Sequence, residues 1–531
     1  MRRRDILKTA IAGTAALAAP LAAPTVARAQ NARTLRFVPH ADPASLDPVW
    51  TTADVTRNVS LTVFDTLYGV DKGGRPHPQM VAGATTSADG KTWELTLRDG
   101  LKFHDGTPVL ARDAVASVNR SNKRNPLGQA LAQRVDEMSA TSDKVIRFRL
   151  NKPFGLLPDA LAQYSTAVMP ERIAGKTDAN TQIPEVMGSG PYKFKANERI
   201  PGASIAFERN ADYVPRPAGG ADSFTAGPKV PHFERVVWTI MPDPATAMSA
   251  LVNSEIDWWE NPTVDLIPTL QRDKRLVLEN KDPAGSIGCL RFNHLMPPFD
   301  NVKLRQAVQM AMKQADMMEA VAGAVPSMIR VPSGMFIPGS PLASDEGFDM
   351  VRDWGDIEKA KQAVRDSGYK GERIVVLSAT TIPSIWNMAQ VANDVLKRIG
   401  LNIDVVAVEW GTVVQRRASR ETIDKGGWNI FYTYLGGAGN LSPAGMSAQR
   451  GNGTAAWFGW PTMPKVEELR EAWFEAPNLE AQRELVRQMQ ADIWKEVPYA
   501  NLGSYVGFTG YHNFLKGMRD GFPQMYGVQR A

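Results

Sequence analysis

Three observations predict an α/β protein of more than one domain. The chain has 531 residues, too long for one ordinary domain, so two or three are expected. Segments of two-residue periodicity, such as Thr92–Arg98 and Val145–Leu150, alternate along the chain with segments of helical periodicity. In the second half, Ile374–Leu377, a helical run ending at Ile399, and Ile403–Val408 stand in strand–helix–strand order. That order implies a parallel strand pair joined by a crossover helix.

The N-terminus reads as an address. Arg2, Arg3 and Arg4 precede an Ala/Leu-rich run from Ala10 to Ala23, and Ala27-Arg28-Ala29 has the form of a cleavage site. Arg3-Arg4-Asp5-Ile6-Leu7-Lys8 matches a twin-arginine signal with Ile in the usual Phe position. Pro20 and Pro24 interrupt a run already too short to span a bilayer. Residues 1–29 carry five basic and one acidic side chain, so the nominal net charge of +5 becomes +1 (56 basic, 55 acidic) once they are removed. A near-neutral mature chain excludes nucleic acid and anionic membrane as partners. The single cysteine, Cys289, excludes an intrachain disulfide and a Cys-based metal site.

Each element has a local reason. Ala32–Val38 has strand composition, and Asp42–Thr52 is a proline-punctuated loop. Asp54–Asp65 carries apolar residues at helical positions. Asp89-Gly90, Asp99-Gly100 and Asp105-Gly106 are hairpin-type turn signals around the Thr92–Arg98 strand. A helix is expected from Ala111 to Arg120, a strand over Val230–Met241 and a helix over Pro244–Ser254. Gly285–Asn293 is an extended segment suited to connecting domains. Asp300 is placed to cap a helix whose apolar residues run from Leu304 to Met318. Ile385, Met388, Ala389, Ala392, Val395, Leu396 and Ile399 form one face of a helix ended by Gly400. Two more helical runs follow, Lys465–Phe474 and Leu479–Glu496.

The stretch that points to a ligand is Gly426–Pro461. It holds Trp428, Phe431, Tyr432, Tyr434, Trp457, Phe458 and Trp460, spaced by glycines. Glycine lets backbone approach a ligand closely, and Trp and Tyr offer flat apolar walls with a polar edge. No acidic residue occurs between Asp424 and Glu467, and Arg450 is the one cation between Lys425 and Lys465.

Several motifs together resemble one family. They are Phe64-Asp65-Thr66-Leu67, the run from Asp89-Gly90-Lys91-Thr92-Trp93 to Asp105-Gly106-Thr107-Pro108, Gly188-Ser189-Gly190-Pro191-Tyr192, and Pro298–Ala307. Their order and spacing are similar to those of the dipeptide/oligopeptide-binding family 5 (cluster C) of extracytoplasmic solute-binding proteins, over nearly the whole mature chain. The resemblance implies a two-lobed periplasmic-binding-protein fold with a third, inserted domain and a hinge. The implied division is a signal at 1–29, a discontinuous lobe I from 30–66, 186–284 and 506–531, an inserted domain II at 67–185, and lobe III at 285–505. Crossovers near Gly285–Gly288 and Gly503–Gly507 would form the hinge. The implied function is a periplasmic receptor, not an enzyme, that captures a small organic solute, a peptide or a peptide-like or carboxylate-bearing molecule, between its lobes. It would deliver that solute to an inner-membrane ABC permease and its ATPase subunits, acting as a monomer.

Most of these motifs are structural by their local signals. His104 and Asp105 sit in a hairpin turn, and Asp300 reads as a cap. Peptide-binding members of the family place an Asp shortly before the proline that corresponds to Pro443, where it pairs with the peptide ammonium. Here Gly439-Asn440-Leu441-Ser442 precede that proline. A buried ammonium without a counter-charge costs several kcal/mol, so a free peptide N-terminus is not expected to be the main anchor. Asn440 offers a neutral acceptor, and Arg450 offers a bidentate clamp for a carboxylate or, alternatively, a solvated loop charge. Trp50 and Thr51 are expected to face the ligand from the first lobe. Trp410 lies at the carboxyl end of a strand, where ligands bind in open α/β sheets. Trp386, Trp428, Tyr434, Trp457 and Trp460 complete the expected ligand set. A metallophore or haem receptor of the same fold and a secreted hydrolase are the alternatives. Against them, the six histidines are scattered and neither Gly-x-Ser-x-Gly nor His-Glu-x-x-His occurs. No catalytic residue, metal ligand or cofactor is therefore assigned.

Overall fold

The computed structural model describes residues 33–437 and 441–531. The signal expected at 1–29 and Asn440 fall outside the described residues. The strands gather into three principal sheets. The largest has seven strands in the order Leu276–Glu279, Thr509–His512, Trp258–Trp259, Thr34–Val38, Arg235–Thr239, Ser204–Arg209, Tyr192–Phe194. Its central strand runs parallel to Arg235–Thr239 and Trp258–Trp259, and the outer pairings are antiparallel. Against it Phe37, Phe207, Trp238 and Trp258 pack ring to ring at 4.8–5.3 Å, a dense aromatic core.

The second sheet has six strands, ordered Ile329–Arg330, Tyr499–Tyr505, Ser286–Phe292, Ile430–Gly436, Ile374–Ala379, Ile403–Val408. The expected parallel pair is there, with Ile374 against Ile403 through Ala379 against Val408 and the helix Pro383–Arg398 as crossover. The extended segment near Gly285 is a central strand of this sheet, and Trp428, Phe431 and Tyr432 are in its core. The third sheet is antiparallel, ordered Val81–Thr86, Thr92–Leu97, Val145–Leu150, Val135–Ala140.

The chain passes between the first two sheets twice, over residues 280–285 and 506–508. Gly288 and Gly503 lie inside strands rather than in the crossings. Gly285 has φ +68°, and a Cβ there would sit 2.4 Å from the Tyr505 carbonyl oxygen, so the two crossings touch through a residue that only glycine can fill. Gly188 and Gly190 play a similar part beside the helix Asp54–Val63. A Cβ on either would lie within 2.8 Å of the Val63 backbone, which explains the Gly-Ser-Gly motif as close packing.

Two local expectations are corrected. The run from Leu304 to Met318 is two helices, Val302–Ala311 and Gln314–Ala322, broken where Met312 turns extended. The cap is Asn301, whose side chain accepts from the Lys303 N–H at 3.0 Å, rather than Asp300. His104 and Asp105 are structural. Asp105 accepts from the Thr107 N–H, and the His104 ring lies 3.1 Å from the Gly190 carbonyl, where burial drives its pKa down to about 4.

Candidate functional site

The two large sheets face each other across a cleft with two chambers, about 870 and 920 Å³, each of a size suited to a small organic ligand. His40, Asp54, Arg57, Trp410, Tyr434 and Phe522 line both chambers and separate them. Asp54 and Arg57 are ion-paired at 2.8 Å, and Arg57 stacks 4.1 Å over the Phe522 ring. Behind them His40 bonds the buried Glu260 at 2.8 Å, and Asn58 donates to the other Glu260 oxygen. Burial opposes charging His40, but the Glu260 carboxylate outweighs it and His40 titrates above its usual value.

Of the expected contacts, Trp50, Trp410, Tyr434, Arg450, Trp457 and Trp460 line the 870 Å³ chamber. Thr51, Trp386 and Trp428 line neither chamber. Trp428 is fully buried against Phe431 and Trp460, so its bulk fills the core of the sheet. Trp386 lies on the crossover helix, and Thr51 is buried behind the wall as an acceptor for Arg417.

Arg450 is not free to clamp a ligand. Its Nε lies 3.1 Å from both oxygens of Glu467, its Nη2 is 3.0 Å from the same carboxylate, and its Nη1 donates to Gln129 at 2.7 Å. Arg470 shares Glu467 and donates to the Pro443 and Gln449 carbonyls. Arg291, also sealed from solvent, donates to the carbonyls of Phe458, Ala448 and Pro498 at 2.6–3.0 Å. These arginines take the place of sheet bonding in the glycine-rich segment, and so fix Trp457 and Trp460 in the chamber wall.

A buried cation of the chamber wall without a carboxylate among the described residues is Arg417, which was not among the expected contacts. The helix Trp410–Arg416 starts where the strand Ile403–Val408 ends, and Glu409 caps it through the N–H groups of Gly411 and Thr412. Two turns separate Trp410 from Arg417, so both project to one side, and the guanidinium sits 5.3 Å from the Trp410 ring centre. Phe458 at 4.7 Å, and Phe431 and Trp457 at 5.7 Å, complete an aromatic box. Arg417 is 2% exposed. Its one hydrogen bond is Nη2 to Thr51 Oγ1 at 3.3 Å, and its Nε has no partner. Burial, then repulsion from Arg124, pulls its pKa down to about 9. Arg124 donates to Asn180 and to the Trp50 carbonyl, and Arg420 donates to the Thr454 carbonyl and lies 5.0 Å over Trp460. Among the described residues none of these three arginines has a carboxylate within ion-pair distance. The signal available in the sequence was Arg416-Arg417-Ala418-Ser419-Arg420, beginning six residues after Trp410.

The lobes touch across the chamber. Trp457 Nε1 donates to Thr52 Oγ1 at 3.0 Å, a bond spanning 405 residues, and Arg417 to Thr51 is a second such bond. Among the described residues no group of three or more His, Cys, Asp or Glu side chains could hold a metal ion, and no helix is long and apolar enough to cross a membrane.

Comparison with known proteins agrees with this architecture. Residues 75–457 match the family model of bacterial extracellular solute-binding proteins, family 5. The chain is 37% identical over its whole length, and 99% of the relative's, to a probable peptide ABC transporter periplasmic-binding protein, y4tO, of Sinorhizobium fredii. It is similar in structure to DppA of Helicobacter pylori in complex with the peptide STSA (TM-score 0.77, 18% identity, 95% of this chain and 99% of that one). It is also similar to the binding protein AgaA of A. tumefaciens R10 in complex with agropinic acid (TM-score 0.77, 18% identity, 94% and 99%). The chain therefore belongs to family 5 of the bacterial extracellular solute-binding proteins, and it is a substrate-binding receptor of an ABC importer rather than an enzyme.

Proposed function

We propose that this receptor captures a peptide or peptide-like solute bearing a carboxylate, and that the carboxylate docks on Arg417. The observation that carries this reading is a desolvated guanidinium in the wall of an 870 Å³ chamber with no carboxylate of its own. An unpaired buried charge is costly, and a ligand carboxylate would both neutralise it and accept bidentately from the fork. Arg124 and Arg420 add positive potential on the same side. Peptides, glutathione and agropinic acid, named as ligands of relatives, all carry carboxylates. The protein works outside the inner membrane as a monomer, without nucleic acid, after export by the twin-arginine route. It hands its solute to a permease and its ATPase subunits. Ligand binds both lobes and shifts the population toward a closed form held by Trp457–Thr52.

The test is native mass spectrometry of protein purified from its own periplasm, then a thermal-shift screen of peptides with free or amidated C-termini, opines and dicarboxylates. Ligand at 100 times its dissociation constant adds about 2.7 kcal/mol of stability. Stabilisation by carboxylates and not by their amides supports the reading. Equal stabilisation by both, or a co-purified solute without an acidic group, refutes it.

A further inference from the structure

Resting on that reading, we propose that Asp159 is the cation-binding residue of the same chamber, so that the cargo is a dipolar molecule whose ammonium group sits on Asp159 while its carboxylate sits on Arg417. Asp159 belongs to the short helix Leu157–Leu161 of the inserted segment, and it lines the 870 Å³ chamber together with Leu156, Ala162 and Gln163. Its carboxylate has no ion-pair partner and no side-chain hydrogen bond among the described residues; the one group that bonds it is its own backbone N–H. The nearby Gln163 amide donates instead to the Asp159 backbone carbonyl at 3.2 Å.

Asp159 is half-buried, and the carboxylates buried more deeply than it are all partnered. The carboxylates less than a tenth exposed are Asp47, Asp65, Asp71, Asp113, Asp257 and Glu260. Asp47 has Arg120, Asp65 has Lys229, Asp71 has His77, Asp257 has Arg36 and Glu260 has His40, while Asp113 accepts two backbone N–H groups. Asp282, which also titrates high, accepts from the Ala284 N–H at 3.1 Å. Asp159 has no charged partner and only its own backbone N–H, and desolvation outweighs that bond and lifts its pKa to about 6. Such a group is destabilising unless something else neutralises it. Asp54 is the other acid of the chamber, but it is already paired with Arg57. One chamber thus holds an acid without an ion pair and three arginines, Arg124, Arg417 and Arg420, without a carboxylate. Electrostatic complementarity then selects both the charge and the orientation of the ligand.

The experiment uses the mature protein, its Asp159→Asn variant and a mixed tripeptide pool prepared in four forms: free, N-acetylated, C-amidated and doubly blocked. Binding is read by thermal shift and by displacement titration. Wild type should prefer the free over the N-acetylated pool by at least tenfold. Asp159→Asn should weaken the free pool by at least tenfold and abolish that preference, yet still discriminate against C-amides. Asp159→Glu should restore part of the preference. If the preference for free N-termini is absent from wild type, or survives in Asp159→Asn, the assignment is overturned while the Arg417 reading stands. If no peptide form binds, the solute released from natively purified protein decides. A released molecule with both a protonated amine and an acid supports the assignment, and one without a cationic group overturns it.

Discussion

Replacing Arg417 by Met separates a ligand anchor from a structural arginine. Burial, then repulsion from Arg124, holds the guanidinium from its ordinary pKa of 12.5 down to about 9. At 1.36 kcal/mol for each tenfold step, that corresponds to at most about 5 kcal/mol of cost in keeping it charged. Four aromatic faces return about 0.5–1 kcal/mol each, and the Thr51 hydrogen bond returns about 0.5–1 kcal/mol. The balance is about 0–2 kcal/mol, so Met, which fills a similar volume without charge, should leave the empty protein as stable or slightly more stable. For a chain of this size about 1 kcal/mol corresponds to about 1 °C in Tm, so the expected change is between zero and about +2 °C. Binding should behave in the opposite way. Leaving a ligand carboxylate buried without its cation costs about 2–5 kcal/mol, a loss of about 30-fold to several thousand-fold in affinity. The assay is differential scanning calorimetry of the empty protein beside titration calorimetry with the best carboxylate ligand. A fall in Tm of several degrees with affinity retained would refute the reasoning, because Arg417 would then be a structural residue satisfied by its aromatic box. Arg417→Lys, which keeps the charge and loses the fork, should fall between the two.

Other outcomes follow from the same geometry. Asp159 titrates near 6 instead of 3.8, so the native state holds a proton that the unfolded state releases; stability from this group is greatest below pH 4 and declines as pH rises to about 6, by up to about 3 kcal/mol. Asp159→Asn should therefore raise Tm at pH 7.5 and leave it nearly unchanged at pH 4, and an identical shift at both values would contradict this. His40 titrates above 6.5 because of Glu260, so its contribution is complete below pH 6.5 and is lost as pH rises through its raised value. His40→Gln should cost about 3–5 kcal/mol by stranding Glu260, measured by urea unfolding. Arg450→Ala should lower Tm by leaving Glu467 with Arg470 as its one cation and loosening the glycine-rich segment, rather than acting on the ligand carboxylate alone. Trp457→Phe removes the 3.0 Å bond to Thr52; about 1 kcal/mol of closure is lost, so affinity should drop about fivefold and small-angle scattering should show a larger radius at subsaturating ligand.

Periodicity and turn chemistry are local, and for that reason the sequence by itself determined most of the elements. The alternation in Thr92–Leu97 and Val145–Leu150, the crossover helix between Ile374 and Val408, and the helices after Pro464 stand as read. It failed where two local signals competed, as at Met312, where apolar spacing continues through a break that the backbone alone shows. The aromatic wall was legible as a class, since Gly-rich sequence with Trp and Tyr marks close approach to a ligand, but its members were not. Trp428 and Trp457 look alike in sequence, and only the packing of the six-stranded sheet buries one and exposes the other to the chamber. Charge pairing was the least legible property. The acid nearest in sequence after Arg450, Glu467, turned out to be its partner, while Arg417, buried in the chamber wall, has no carboxylate among the described residues. The carboxylates absent from the Gly426–Pro461 stretch reach the chamber wall from distant parts of the chain, Asp54 and Asp159. Whether a charge is neutralised depends on what the fold brings within about 4 Å, and residues separated by hundreds of positions in sequence meet only in the tertiary structure.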